Sequence, residues 1–199
     1  GNLTTVDYDQ AGRPATVTDP LGHQTVTAYD HLGRKTSVTD AAGSTTLYRY
    51  TNTGKLWQVE DALGGVTEYG YDERGNRTLV RDANGHETVF EYDQMDRLIR
   101  EINPLGNETV FTYDAAGNIV QTSDPAGRIV ENVYDGLSRR IRTRYLPQGF
   151  GEEFAYDGTN LLIRETDKRG NIREYDYDNL GRKVAVHLHE TITQPEQVL

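Results

Sequence analysis

The chain has 199 residues, a formal net charge of −10, no cysteine and 35% hydrophobic residues. The negative charge argues against a nucleic-acid partner, which requires a basic patch, and the lack of cysteine excludes disulfides and thiolate chemistry. No segment approaches the roughly 18 consecutive apolar residues of a membrane span.

A repeat of 21 residues begins near the N-terminus and continues almost to the end of the chain. Successive marker tyrosines are 21 residues apart, except for one step of 22. They are Tyr8, Tyr29, Tyr50, Tyr71, Tyr92, Tyr113, Tyr134, Tyr156 and Tyr177. A fixed internal period of this length is typical of repeat-built architectures, so it takes precedence over any reading of single segments.

Each repeat contains two turn signatures. In the first, Asp follows the marker Tyr, Gly stands four residues after it, and Arg, Lys or Asn comes next. In the second, half a repeat later, Asp-Pro-x-Gly or a close variant ends in another Gly. Asp at the first position accepts a hydrogen bond from the main chain two residues on, and Gly at the fourth takes the left-handed conformation of a bulged hairpin. Asp96, Ser138 and Asn160 replace Gly in three copies of the first turn.

Two strands of about six residues remain in each repeat once the turns are removed. The sequence therefore predicts an all-β fold of tandem β-hairpins, with about 18 strands in one long, curved or spiralling antiparallel sheet. One face carries the pattern Thr-x-aromatic-x-Tyr, as in Thr88, Phe90 and Tyr92, with valines such as Val80 between successive hairpins. The other face carries charged residues such as Glu87.

The array occupies residues 1–187 in about nine repeats, and residues 188–199 are predicted to be a divergent tail or the start of another segment. The chain starts within the pattern, which suggests a piece of a longer array. Excised edge strands seek partners, so we expect edge-to-edge self-association.

The copies YDQAGR (8–13), YDHLGR (29–34), YDERGN (71–76), YDAAGN (113–118) and YDNLGR (177–182) resemble the YD repeat of Rhs proteins, which are related to Tc toxin C components and teneurins. The candidate structural motif consists of the tyrosines above with the following residues. These are Asp9, Gly12, Arg13, Asp30, Gly33, Arg34, Gly54, Asp72, Gly75, Asp93, Asp114, Gly117, Asp135, Asp157, Asp178, Gly181 and Arg182.

This resemblance implies a segment of a bacterial Rhs-type shell that encloses and shields a toxin before delivery. The implied partners are the remaining repeats of the parent protein and the enclosed toxin domain. The parent would be secreted, at the cell surface or delivered by a bacterial secretion system. In several family members a protease at the end of the shell releases the toxin, but this chain lacks that motif, so we transfer no catalytic residue.

The carboxylates of the repeat are expected to be turn residues, since an active site does not need eight copies. We therefore expect no enzyme activity, cofactor or metal. His187-x-His189 with Glu190 is at most a weak metal site. Glycans are the alternative partner, because rows of tyrosine on an accessible face can stack sugar rings; packing of the rings within the sheet is the favoured interpretation.

Overall fold

The structure is a computed structural model that describes residues 3–190, and these residues form strands and turns throughout. No helix long and apolar enough to cross a bilayer occurs in this range. The chain divides into two compact units, residues 1–97 with 102–106 and residues 98–101 with 107–199. The predicted all-β fold of tandem hairpins is confirmed.

The first unit is an antiparallel meander in which each strand from β1 to β8 pairs with the next along the chain. Its strands are β1 (Thr5–Tyr8), β2 (Pro14–Thr18), β3 (Gln24–Tyr29), β4 (Lys35–Thr39), β5 (Thr45–Tyr50), β6 (Leu56–Glu60), β7 (Val66–Tyr71), β8 (Arg77–Arg81) and β9 (Glu87–Tyr92).

The second unit repeats the same meander, and each strand from β11 to β17 pairs antiparallel with the next. Its strands are β11 (Glu108–Tyr113), β12 (Ile119–Ser123), β13 (Ile129–Tyr134), β14 (Arg140–Leu146), β15 (Gly151–Tyr156), β16 (Leu162–Thr166), β17 (Ile172–Tyr177) and β18 (Lys183–His189). Strand β10 (Leu98–Ile102) is divided between the two units. Residues 191–199 of the predicted tail lie outside the described residues.

The predicted turn chemistry is confirmed at both turns of the repeat. Fourteen glycines of the turns have positive φ, and so do the three residues that replace Gly, Asp96 at 60°, Ser138 at 59° and Asn160 at 71°. Side chains adopt this left-handed region only at a cost in energy, and Asn and Asp tolerate it best after Gly. Gly136 and Gly158, which lie outside the two glycine positions, are not among the positive-φ residues.

On one face, the register places Val59 and Val80 each between an aromatic residue of the preceding strand and a threonine of the following strand. Val59 of β6 lies opposite Tyr48 of β5 and Thr67 of β7, and Val80 of β8 lies opposite Tyr69 of β7. On the other face Arg81 lies opposite both Glu68 and Glu87, with ion-pair distances of 3.0 and 2.5 Å. Such cross-strand pairs, rather than a central core, join neighbouring strands.

No hydrophobic side chain of the described residues is buried, and Thr143, at 1% exposure, is the one buried residue among them. Most residues of the aromatic face are half-buried. Each strand is therefore held by the strands beside it and by its turns. The aromatic and valine side chains of one face remain partly exposed to solvent.

Candidate functional site

The turn that follows each marker tyrosine, here called the Tyr-Asp turn, is held together by one carboxylate. In Asp9–Arg13, the main-chain N–H of Gly12 donates to the Asp9 carbonyl at 3.0 Å, and that of Asp9 donates to the Arg13 carbonyl at 2.9 Å. Asp9 Oδ1 accepts from the N–H groups of Ala11 and Arg13, both at 2.9 Å, and Oδ2 accepts from Arg13 Nε at 2.7 Å. The aspartate thus fixes the turn and also orients the arginine.

These hydrogen bonds favour the ionised carboxylate. The main-chain N–H of Arg13 and then its side chain lower the pKa of Asp9, against a partial desolvation that raises it. The Arg97 side chain lowers the pKa of Asp93, and the Asn118 side chain lowers that of Asp114. The repeated aspartates are charged structural groups of the turns.

The phenol of the marker tyrosine reaches back to the preceding repeat. In seven copies it donates to a main-chain carbonyl at the start of the second strand of the repeat before. The pairs are Tyr29–Pro14 (2.9 Å), Tyr71–Leu56 (2.7 Å), Tyr92–Arg77 (3.1 Å), Tyr113–Leu98 (2.7 Å), Tyr134–Ile119 (3.0 Å), Tyr156–Arg140 (3.2 Å) and Tyr177–Leu162 (2.7 Å). The acceptor is 15 residues earlier in every pair except Tyr156–Arg140, where it is 16 residues earlier. Each phenol therefore adds a side-chain hydrogen bond between two neighbouring strands that belong to successive repeats.

The cation at the end of one Tyr-Asp turn covers the tyrosine ring of the next. Arg13 Cζ lies 4.6 Å from the ring centroid of Tyr29, and Arg13 Nη1 donates to the Asp30 carbonyl at 2.9 Å. Equivalent cation–ring contacts are Arg34 on Tyr50 (4.5 Å), Lys55 on Tyr71 (5.3 Å) and Arg139 on Tyr156 (4.8 Å). A guanidinium over an aromatic face contributes about 0.5–1 kcal/mol at an exposed site.

We call this set of contacts the Tyr-Asp ladder: the Asp–Arg pair within a turn, the cation over the next tyrosine, and the phenol bonded to a carbonyl of the preceding repeat. The motif residues predicted from the sequence therefore meet one another along successive turns rather than at one locus. Where the motif varies, the contacts vary with it. Asn76 Nδ2 donates to Asp96 Oδ1 at 2.7 Å, and Thr51 Oγ1 replaces the missing aspartate by accepting from the Lys55 N–H at 3.1 Å.

Sequence reasoning missed the partners of the tyrosine hydroxyl, although the sequence holds a signal. The aromatic position two residues before the marker accepts Phe, as in Phe90, Phe111 and Phe154, whereas the marker position is Tyr in all nine copies. A position that excludes Phe within one chain indicates that the hydroxyl makes a hydrogen bond.

In the second turn of the repeat, an aspartate carboxylate again contacts the side chain four residues later, and in two copies this side chain is a histidine. His23 Nδ1 lies 2.8 Å from Asp19 Oδ2, and His86 Nδ1 lies 3.0 Å from Asp82 Oδ2. At the C-terminal hairpin, His187 Nε2 lies 2.8 Å from Asp176 and His189 Nε2 lies 3.4 Å from Glu174. These two histidines each pair with a carboxylate of β17, and residues 3–190 contain no group of three or more candidate ligands that could hold a metal ion.

One intervening hairpin departs from the repeat, at the step of 22 residues. Its turn has no aspartate: the N–H of Tyr145 donates to the Phe150 carbonyl at 2.9 Å, and that of Gly149 donates to the Tyr145 carbonyl at 2.8 Å. The rings of Tyr145 and Phe150 lie 5.8 Å apart, and Lys168 Nζ lies 3.7 Å from the Tyr145 centroid. The extra residue is thus absorbed within the turn, and the strands on both sides keep their pairing.

A meander of bulged hairpins joined by such a ladder defines a repeat-built β-sheet protein. A family model described as RHS Repeat matches residues 8–45, 50–87, 92–129 and 156–188, which is more than half of the chain. The chain belongs to the RHS repeat family. No curated protein matches it.

Three solved structures show the same fold at low sequence identity. The TcdB2-TccC3-Cdc42 structure has a TM-score of 0.67 at 15% identity over 96% of this chain. The TcdB2-TccC3 structure has a TM-score of 0.60 at 15% identity over 96%, and the Photorhabdus luminescens Tc holotoxin pore has 0.55 at 12% identity over 94%. The chain spans 12%, 16% and 17% of the length of these three chains, respectively.

Proposed function

We propose that this chain is a non-catalytic wall segment of an Rhs-type shell that encloses a toxin and shields it before delivery. The observation that carries the proposal is the Tyr-Asp ladder combined with the lack of a buried hydrophobic residue among residues 3–190. The ladder joins each hairpin to the next at one set of turns, which suits a continuous wall. The half-exposed aromatic and valine side chains suit a sheet whose face is covered by another part of the shell or by the enclosed toxin.

The comparisons support a shell role, since the chain shares its fold with parts of the Tc toxin structures. It spans a small share of those chains, so a wall segment rather than a whole container is the role that fits its length. The parent protein would act outside the producing bacterium, with the other repeats and the toxin domain as its partners.

The state of the carboxylates supports a structural role over catalysis. In each Tyr-Asp turn that has an aspartate, its oxygens are occupied by main-chain N–H groups and commonly by the cation or amide that ends the turn. Asp30 shows the pattern, accepting from the N–H groups of Leu32 and Arg34, both at 2.9 Å, and from Arg34 Nε at 2.7 Å. A carboxylate held in this way is poorly placed to exchange protons with a substrate.

The glycan alternative has less support in the geometry. Sugar stacking needs an open aromatic face, but cations lie over the rings of Tyr29, Tyr50, Tyr71 and Tyr156. The hydroxyls that would donate to a sugar are instead bonded to the main chain in Tyr29 and Tyr71.

Limited proteolysis of the parent protein tests containment. We expect the C-terminal cargo to resist a non-specific protease in the parent and to be digested quickly once it is released by denaturation. A variant with Gly33→Val and Gly75→Val, which strains two ladder turns, should lose protection. The matched control, Gly136→Val with Gly158→Val, adds the same side chains at positions without positive φ and should keep it. Equal digestion of the cargo in the parent and in the released form would contradict containment.

A further inference from the structure

Two departures from the repeat meet at one place in the second unit. The first is the irregular turn from Tyr145 to Phe150, which starts with Tyr145 where the other copies of the second turn start with Asp or Asn. The second is Lys168 in the following copy of that turn, at a position where the other regular copies carry Pro or Ala. Lys168 Nζ lies 3.7 Å from the ring centroid of Tyr145, so the two departures contact each other. Local departures from a repeated design are candidates for a role that the repeat itself does not require.

A cavity of about 350 Å³ adjoins this contact. Its apolar lining comes from the start of β13, the end of β14 and the irregular turn, and consists of Ile129, Val130, Tyr145, Leu146 and Phe150. Phe150 is 42% exposed, and its ring lies 5.8 Å from that of Tyr145. Sites for small organic molecules have volumes of roughly 300–1,000 Å³ and are lined mainly by apolar and aromatic residues with a few polar groups. The cavity therefore has the dimensions and the lining of such a site.

The charged lining of this cavity consists of two cations, Arg128 and Lys168, and one carboxylate, Asp124. Arg128 Nε donates to Asp124 Oδ2 at 2.6 Å, which orients the guanidinium, while the Arg128 side chain stays 69% exposed. Lys168 forms no ion pair within residues 3–190, and its ammonium group lies over the Tyr145 ring. Because Asp124 is matched by Arg128, the charge of Lys168 is in excess. The lining is thus locally basic in a chain whose net charge is −10.

Apolar walls beside an unmatched cation favour a ligand that has both an apolar body and a carboxylate. Lysine and arginine donate charge-assisted hydrogen bonds to a carboxylate, and these are roughly twice as strong as neutral ones. A neutral ligand would leave Lys168 without a counter-charge. A long anionic polymer would fit poorly, because Asp124 and Asp167 begin the turns on either side of the irregular one.

We propose that this cavity binds a small organic acid, with its carboxylate at Lys168 and Arg128 and its apolar body against Tyr145 and Phe150. The acid can be free or can be the C-terminal residue of a peptide, since both present a carboxylate beside an apolar group. The residues of the site lie between β12 and β17, on strands that have a paired neighbour on both sides. The site therefore does not depend on where the chain begins or ends.

The experiment is a titration of the full chain with phenylacetate, followed by NMR of the amide groups. We expect saturable shifts at Ile129, Val130, Lys168 and the residues from Tyr145 to Phe150, with a dissociation constant in the millimolar range. Phenylacetamide keeps the ring without the charge, and acetate keeps the charge without the ring, so each should bind about fivefold more weakly or less. N-acetylphenylalanine mimics the C-terminus of a peptide. Tighter binding than that of phenylacetate assigns the peptide as the source of the acid, and equal or weaker binding assigns the free acid.

A charge-removing variant tests the role of the cation. Lys168→Gln should weaken phenylacetate binding by about fivefold and leave phenylacetamide binding unchanged, because the amide carries no charge. Arg169→Gln is the matched control, since it removes the same charge from the adjacent residue, which does not line the cavity, and it should leave both ligands unchanged. An equal loss of both ligands in Lys168→Gln would overturn the proposal. So would shifts in the parent that do not saturate, that appear equally at the regular turn Asp82–His86, or that phenylacetamide reproduces at the same concentration.

Discussion

The phenol of Tyr71, at the end of β7, donates a hydrogen bond of 2.7 Å to the main-chain carbonyl of Leu56, at the start of the neighbouring strand β6. Lys55, the residue before Leu56, places its Nζ 5.3 Å from the Tyr71 ring centroid and donates to the Gly75 carbonyl at 2.9 Å. Two consecutive repeats are therefore joined by three contacts that involve side chains, in addition to the pairing of their strands.

Removing the Tyr71 hydroxyl should weaken this connection. Tyr71→Phe keeps the ring under Lys55 but leaves the Leu56 carbonyl without this donor, and we expect the free energy of unfolding to fall by about 1 kcal/mol. Urea denaturation measures the change. Tyr69→Phe is the control, because Tyr69 lies on the same strand and face and Val80 lies opposite it. Equal losses in the two variants would show that the hydrogen bond from Tyr71 to Leu56 adds no stability beyond that of the Tyr69 hydroxyl.

A side chain at Gly75 should strain a Tyr-Asp turn. Gly75 has a φ of +94°, which a β-branched residue adopts only under strain, so Gly75→Val should cost about 1–3 kcal/mol. An added Cβ would also displace the end of the Lys55 side chain. Gly136→Val is the control, since its Cβ meets no atom within 4 Å and its φ is outside the left-handed region. Thermal melting of both variants is the measurement. Similar melting temperatures would mean that the left-handed turn position carries little of the stability.

Gly151 allows a close approach of two strands beside the irregular turn. An added Cβ would collide with the main-chain carbonyl oxygen of Thr143, which belongs to the neighbouring backbone and cannot rotate away. Gly151→Ala should therefore destabilise the β14–β15 hairpin by about 1–3 kcal/mol.

Hydrogen exchange of β14 and β15 should reveal the effect of Gly151→Ala as faster exchange of their amides. Gly158→Ala, where nothing lies within 4 Å of the added Cβ, is the matched change. Unchanged exchange in the Gly151 variant would show that the sheet accommodates the added methyl group while the hydrogen bonds between β14 and β15 remain intact.

Acid should weaken the array through its turn aspartates. The side chain of Arg97 lowers the pKa of Asp93, and the main-chain N–H of Arg182 lowers the pKa of Asp178. A carboxyl group whose pKa is lower in the folded state stabilises that state above its unfolded pKa, near 3.9, and loses this contribution as the pH falls through its folded pKa. We therefore expect the urea midpoint to be constant near neutral pH and to fall at pH values below about 4.

Asp93→Asn tests the assignment of this acid sensitivity. The variant keeps an oxygen for the main-chain N–H groups of Met95 and Arg97 but removes the charge that pairs with Arg97. Its urea midpoint should be lower at neutral pH, and it should fall less on acidification. A parent midpoint that stays level down to pH 2, or a variant with an unchanged acid response, would contradict the role of the turn carboxylates.

The turns could be predicted from the sequence because their requirements are local. Asp96, Ser138 and Asn160 take the left-handed conformation at the positions where Gly stands in the other copies, since five consecutive residues define the turn. The ladder could not be predicted in the same way. Whether a phenol reaches a carbonyl at the start of the neighbouring strand depends on the offset and twist of the two strands, which a 21-residue period does not specify.

A hydrogen-bonded pair of polar side chains on β13 and β14 shows the same limit. Thr143 Oγ1 donates to Asn132 Oδ1 at 2.9 Å, and Asn132 Nδ2 donates to the Ile119 carbonyl at 3.1 Å. In sequence Asn132 occupies the aromatic position of its repeat and gives no sign of a buried partner. Its hydrogen bonds to residues of both neighbouring strands become visible only in the folded sheet.

The short reach of the phenol bond has a consequence for how such a gene can change. Six of the seven phenol bonds join residues 15 apart and the seventh joins residues 16 apart, all within the length of one repeat. An in-frame duplication or deletion of 21 residues would therefore leave every surviving tyrosine with an acceptor of the same kind. A single inserted codon is a different event. The one extra residue of this chain lies between Arg140 and Tyr156, in the turn from Tyr145 to Phe150, which is not a Tyr-Asp turn. Proteins of this design can thus vary in length by recombination between their own repeats, without a compensating change elsewhere in the sequence.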